Sequence, residues 1–322
     1  MPYTRRDLGK IALASLPLAC ARGAANIDSK FYGVQIGAIT YSFNSIANPD
    51  PEAIIRAYVE IGLGEAELMS NHCEALAGAP RAARGGGRGA ASTPEPEATK
   101  QAQQASRQAQ QEQIRNWRAS ASASTWKSVR SKFNDAGIDV ALLCYNMNDN
   151  MKDEDIEYGF SMAQGLGVKA ITTSTTLTMA KRIAAIADSH KLLVGYHGHD
   201  ATSDPNQTAT LESYDTLMAY GKYNGVNLDI GHFTAANYDA VAFIKAHHAK
   251  ITNLHVKDMK RDHGTYTPFG EGDTPIKGVL QLLKKEKYDF PGNIELEYRL
   301  PPDSTLIAEM KKCLAYCKDC LA

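Results

Sequence analysis

The chain has 322 residues, 43% of them hydrophobic and 22% charged, enough to bury a large core as either one big barrel or two ordinary domains. A formal net charge of −1 leaves no basic face for a polyanion, which excludes ordinary nucleic-acid binding and favours a small neutral or weakly charged ligand. Beyond the first residues no apolar run approaches the ~20 residues that a membrane span needs.

The N-terminus reads Thr4-Arg5-Arg6-Asp7-Leu8-Gly9-Lys10, then a mildly apolar stretch from Ile11 to Ala19 and small residues at Ala21, Ala24 and Ala25. It resembles a twin-arginine export signal, so residues 1–28 are expected to be a leader and the mature chain to be periplasmic or otherwise extracytoplasmic. Cys20 follows Pro17-Leu18-Ala19, a poor lipidation box because Pro stands where Leu is expected.

From residue 29 onward, short β-rich runs alternate with helical stretches, the pattern of βαβ units around a parallel sheet. The candidate strands are 33–41, 65–69, 138–145, 168–173, 192–197, 226–230, 251–256 and 293–297, and eight such units are what a closed (β/α)8 TIM barrel requires. Asn48-Pro49-Asp50-Pro51-Glu52 supplies N-cap and early-proline chemistry for a first helix, while Gly62, Gly64, Gly137, Gly167 and Gly225 punctuate helix-to-strand turns. The spacing breaks once. Residues 80–112 form an Ala/Gln/Gly-rich insertion after the second strand, with a basic glycine run at Arg81–Arg88 that reads as a solvated linker. From about Glu95 the composition favours a helix, continuous with the amphipathic segment through Trp117, Trp126, Val129 and Phe133. The six cysteines are no disulfide framework in a chain this long; Cys313, Cys317 and Cys320 share one helix face and read as core.

In such a barrel the functional side chains stand at the C-terminal ends of strands. The last four strands all end in ligand-type residues: His197-Gly198-His199-Asp200, Asp229-Ile230-Gly231-His232, His255-Val256-Lys257-Asp258 and Glu295-Leu296-Glu297. Adjacent strands lie only ~5 Å apart, so these groups converge on one mouth, where unpaired carboxylates repel one another unless a cation joins them. A mixed N/O donor set suits Mn²⁺ first, then Zn²⁺, Co²⁺ or Fe²⁺. Asp229, His255 and Glu297 are the expected ligands, Glu297 because it lies nearer the mouth than Glu295 on the same side of the strand.

The series Asp229-x-x-His232, His255-x-Lys257-Asp258 and Glu297, after a strand ending His197-x-His199, resembles the xylose-isomerase-like TIM barrel superfamily of sugar isomerases, ketose 3-epimerases, inosose dehydratases, 3-keto-glycoside lyases and endonuclease-IV-type enzymes. The resemblance runs from Gly33 to Tyr316, outside the insertion. It implies a metal held by Glu from strand four, Asp from strand six, His from strand seven and Glu from strand eight. Strand four here, Ala170 to Thr176, holds no carboxylate, so either His199 or Glu67 is expected to take the open position, with His199 preferred.

Proton abstraction beside a carbonyl is then the expected chemistry, with His199, His232 or Glu67 as base and Lys257 beside the developing enolate. His72, His197 and Arg299 are the expected substrate contacts. Gly270-Glu271-Gly272-Asp273 is acidic and would repel phosphate, so a keto-sugar or glycoside is favoured over a sugar phosphate, within the 3-keto-glycoside lyase or hydratase branch. A simple sugar isomerase or ketose 3-epimerase is the alternative, and a non-catalytic carbohydrate-binding barrel the rival of another class. A homo-oligomer is compatible with all of these.

Overall fold

The computed structural model describes residues 25–80 and 97–322. The twin-arginine segment and residues 81–96 of the insertion lie outside the described residues. Eight parallel strands form the barrel: β1 Val34–Ile39, β2 Glu65–Met69, β3 Asp139–Cys144, β4 Ala170–Thr173, β5 Leu193–His197, β6 Asn224–Asp229, β7 Ile251–Val256 and β8 Gly292–Ile294. They pair in sequence order, and β8 lies parallel to both β7 and β1, which closes the cylinder. The fold is a (β/α)8 TIM barrel, and all eight candidate strands have their counterpart. A two-residue strand, Lys30–Phe31, extends the sheet antiparallel to β1.

The helices pack outside: α1 Ala53–Ile61, α2 Ser70–Leu76, α3 Glu97–Ser120, α4 Ala123–Asp135, α5 Asp153–Leu166, α6 Leu177–His190, α7 Leu211–Ala219, α8 Ile230–Ala235, α9 Ala240–His247, α10 Ile276–Glu286 and α11 Leu306–Leu321. Gly62 and Gly167 end α1 and α5 in the left-handed conformation, as their positions before strands suggest. Gly225 does something else. It sits inside β6, and a Cβ there would lie 2.5 Å from the Lys250 carbonyl oxygen, so its role is close backbone approach and not a helix cap.

The continuous insertion helix is also corrected. Ala121 and Ser122 break it, and Ser122 starts α4 with an extended backbone and a capping box through Thr125, because a Ser there competes for the exposed N–H groups. Arg118 of α3 grips the buried Glu74 carboxylate with two hydrogen bonds of 2.8 and 3.2 Å, and the Tyr158 hydroxyl donates to the same carboxylate at 2.8 Å. Charge-assisted pairs of this kind tie α3 to α2 and α5. Cys313, Cys317 and Cys320 face the core from α11 as free thiols. Among the described residues no helix is long and apolar enough to cross a membrane.

Candidate active site

The C-terminal ends of the strands surround a cavity of about 220 Å³. Of the residues expected from sequence, His197, His199, His232, His255, Lys257 and Glu297 line it. Alternation along parallel strands sets their height. Ile294 of β8 is in register with Val256 of β7, so Glu295 stands level with Lys257, and Glu297 stands two residues, roughly 7 Å, further out.

That register decides which Glu joins the polar centre. Ligand atoms of His197, Asp229, His255 and Glu295 all lie within 4.8 Å of one another and all four residues are buried. Glu297 is not in that group; its carboxylate accepts from Lys257 Nζ at 2.5 Å. Its nearness to the mouth, the ground for choosing it, is what carries it past the cluster. His199 likewise belongs to a neighbouring group with His197 and His232, again within 4.8 Å, so the nitrogen beside Asp229 comes from His197 and not His199.

The cluster is charged and dry. His255 lies between two carboxylates, Nε2 2.8 Å from Glu67 and Nδ1 2.8 Å from Glu295. Burial opposes its protonation, yet Glu67 and Glu295 raise its pKa well above the ordinary imidazole value. Lys257 Nζ is 3.0 Å from Asp229, 2.9 Å from Glu295 and 2.5 Å from Glu297, and these three carboxylates overcome burial to raise its pKa. Conversely, burial would raise Glu295, but Lys257 and His255 hold it well below the usual carboxylate range. His197 and His199 are driven the other way, primarily by burial, which lowers both below the ordinary imidazole value.

The donor set fits a divalent ion. Two carboxylates and two imidazoles are a borderline mixed N/O shell of the sort first-row metals take. Asp229 Oδ2, fully buried, has no hydrogen-bond partner and faces the Lys257 ammonium at 3.0 Å, so the position already favours positive charge. Asp229 Oδ1 is already spent on the His232 backbone N–H at 2.8 Å, where it caps α8.

Three expected residues stand elsewhere. Glu67 is buried beneath the cavity floor, accepting from Thr172 Oγ1, from Asn253 Nδ2 at 2.9 Å and from His255. It orients His255 and has no free path to a substrate. Thr172 on β4 is the very strand that lacks a carboxylate, so its hydroxyl feeds Glu67 where an acid would compete with it. His72 is buried outside the cavity lining, 3.0 Å from Thr40 Oγ1, and burial lowers its pKa to about 4. Arg299 is exposed and outside the lining, because the chain leaves the barrel after Glu297. Tyr41, Asn146 and Tyr266 line the cavity without a motif to announce them; only their places just past β1, β3 and β7 would have found them. Asp258, adjacent to Lys257, does not pair with it: it accepts from the backbone N–H groups of Gly270, Gly272 and Thr274 and folds the acidic loop against itself.

Residues 169–317 match the family model described as xylose isomerase-like TIM barrel. The matched stretch carries Asp229, His232, His255, Lys257, Glu295 and Glu297. An inosose dehydratase from Lactiplantibacillus plantarum is 29% identical over 144 residues, a match spanning 39% of this chain and 46% of that protein. Among solved structures, a sugar phosphate isomerase/epimerase from Parabacteroides distasonis is 15% identical with a TM-score of 0.56, covering 88% of this chain and 95% of that one. A 3-keto-D-glucoside 4-epimerase from E. coli is 11% identical with a TM-score of 0.57, covering 89% and 99%. At such identities the structures speak for the fold.

Proposed function

We propose that this chain is a divalent-metal-dependent enzyme that removes a proton beside the carbonyl of a keto-sugar or related polyol. The observation that carries this reading is the group His197, Asp229, His255 and Glu295, gathered at one end of a small polar cavity. These four residues would hold the ion, Mn²⁺ being the first choice for such donors. When bound, a dication there supplies Lewis acidity to a substrate carbonyl or hydroxyl oxygen.

The protein's own groups do the rest. Lys257, charged and aimed among the carboxylates, places a fixed positive charge beside an enolate oxygen in a water-poor site. His199 and His232 face the same cavity and are the groups free to take a proton, since Glu67 is committed below the floor. A cavity of about 220 Å³ admits a monosaccharide-sized ring, and the reaction begins by taking a proton from the carbon beside a carbonyl, a first step open to a dehydratase such as the inosose dehydratase this chain is similar to. Loss of a group β to that carbon gives a dehydratase or 3-keto-glycoside lyase; proton return to the opposite face gives an epimerase. The resemblance of the Arg5-Arg6 segment to a twin-arginine signal supports a site of action outside the cytoplasm.

Elemental analysis of the purified chain, with solvent-deuterium incorporation into a 3-keto-glucoside, tests the reading. Roughly one equivalent of transition metal is expected, abolished by Glu295→Gln and kept by Glu297→Gln, with deuterium entering the sugar. Aglycone release marks the lyase. A metal-free protein, or a metalloprotein that binds sugars without exchange, overturns it.

A further inference from the structure

Of the four histidines that line the cavity, His199 and His232 are outside the group that would hold the ion, and nothing in their own positions says which would act as base. What separates them lies behind the rings. The Nδ1 of His232 is 3.0 Å from Asp200 Oδ1, and the other oxygen of that carboxylate is 3.1 Å from Nδ1 of His263. Hydrogen bonds from the two rings, against a smaller effect of burial, hold the Asp200 carboxyl well below the usual carboxylate range. His199 shows no such carboxylate; its backbone N–H is bonded to Thr208, and its ring stands edge-on to His197 and His232.

The outer member of this row is delivered by a hairpin. Short antiparallel strands Asp258–Met259 and Tyr266–Thr267 flank a turn in which Asp262 and His263 both take the left-handed conformation. That turn is held in place from outside: the His263 N–H donates to Ala235 O at 2.9 Å, and Asn237 Nδ2 donates to Asp262 Oδ1 at 2.9 Å. The same hairpin sets the Tyr266 ring edge-on against His232, 5.8 Å between centroids. The ring of His232 is therefore held between the Asp200 carboxylate and the Tyr266 ring, and the residue lines the cavity.

We propose that Asp200 and His263 are positioning residues that lock His232 as the Nδ1–H tautomer, leaving the Nε2 lone pair turned to the cavity as the base. A carboxylate can only accept, so it compels a proton on the nitrogen it faces; the tautomer of a neutral imidazole follows the bond made by its other nitrogen. His263 occupies the second carboxylate oxygen and stops Asp200 from swinging out to solvent. This deepens the proton-abstraction reading and rests on it for the word base, whereas the tautomer lock is a property of the chain alone.

The test is long-range ¹H–¹⁵N correlation of the imidazoles in the full-length labelled protein at pH 8.5, with His232 assigned by its loss in His232→Gln. In the neutral ring of His232 the proton is expected on Nδ1, with Nε2 bare. Asp200→Ala is expected to shift the population toward Nε2–H, as in a free side chain, and the exposed variant His263→Ala to do so in part, while both retain the wild-type circular dichroism. Should Asp200→Ala fail to fold, the wild-type spectrum and His263→Ala still decide. A wild-type His232 with its proton on Nε2, or spectra unmoved by both substitutions, overturns the proposal. Recorded on chelator-treated protein, where no paramagnetic ion broadens the imidazole signals, the spectra do not depend on sugar exchange, so failure here and failure of the proposed function are read separately.

Discussion

Replacing Lys257 by Met probes the charge balance on which the site depends. The Lys257 side chain is buried, and its ammonium lies within 3.0 Å of Asp229, Glu295 and Glu297. Methionine keeps most of the volume but leaves these carboxylates with only His255 to offset them. Removing one partner of a buried ion pair costs about 3–5 kcal/mol, because the remaining charge is stranded out of water. At roughly 2 °C per kcal/mol for a domain of this size, the chelator-treated variant should melt about 6–10 °C below the chelator-treated parent. A dication then substitutes for the missing ammonium: Mn²⁺ at 100 times its dissociation constant should return about 2.7 kcal/mol. Calorimetry with EDTA and with added Mn²⁺ reads both effects. A variant that melts within 2 °C of the parent in EDTA would show that the ammonium does not balance the cluster, and the electrostatic picture of the site would fail.

Other perturbations follow from single contacts. His72 is held neutral by burial, with a pKa of about 4 against roughly 6.5 unfolded, so its contribution is intact above pH 6.5 and is lost as pH falls toward 4, by up to about 3 kcal/mol. His72→Leu should be slightly less stable than the parent in urea at pH 7.5, through the lost bond to Thr40, and more stable at pH 4.5; parallel pH profiles would contradict this. Gly37→Ala places a Cβ 1.6 Å from Glu65 Oε2 and 2.8 Å from the Glu65 carbonyl oxygen, so the barrel interior must shift and about 1–3 kcal/mol of stability should be lost in a thermal melt. Arg118→Ala removes the grip on Glu74 and should speed proteolytic cutting within Glu97–Ser120 while the barrel core stays protected; an unchanged cleavage rate would mean the pair does not anchor α3.

What the sequence determined by itself was the fold and the rim. Short β-rich runs alternating with helical stretches, several of them preceded by a glycine, predicted all eight strands, because backbone twist and burial leave βαβ units few ways to pack. Clustered His, Asp and Glu at four successive strand ends marked the mouth for the same reason: in a closed barrel the end of every strand points to one rim. Asp229 and His255 were legible on those grounds. What tertiary structure alone decided was height and partnership. Inter-strand register put Glu295, not Glu297, level with Lys257; a hydroxyl on β4 and an amide on β7 claimed Glu67; Asp200 met His232 and His263 across 32 and 63 residues of chain. A strand's sequence tells which side a residue faces, since side chains alternate, but not how far along the barrel axis it stands relative to residues on other strands. That quantity is set by the stagger of the whole closed sheet, and it selected which side chains share the buried cluster.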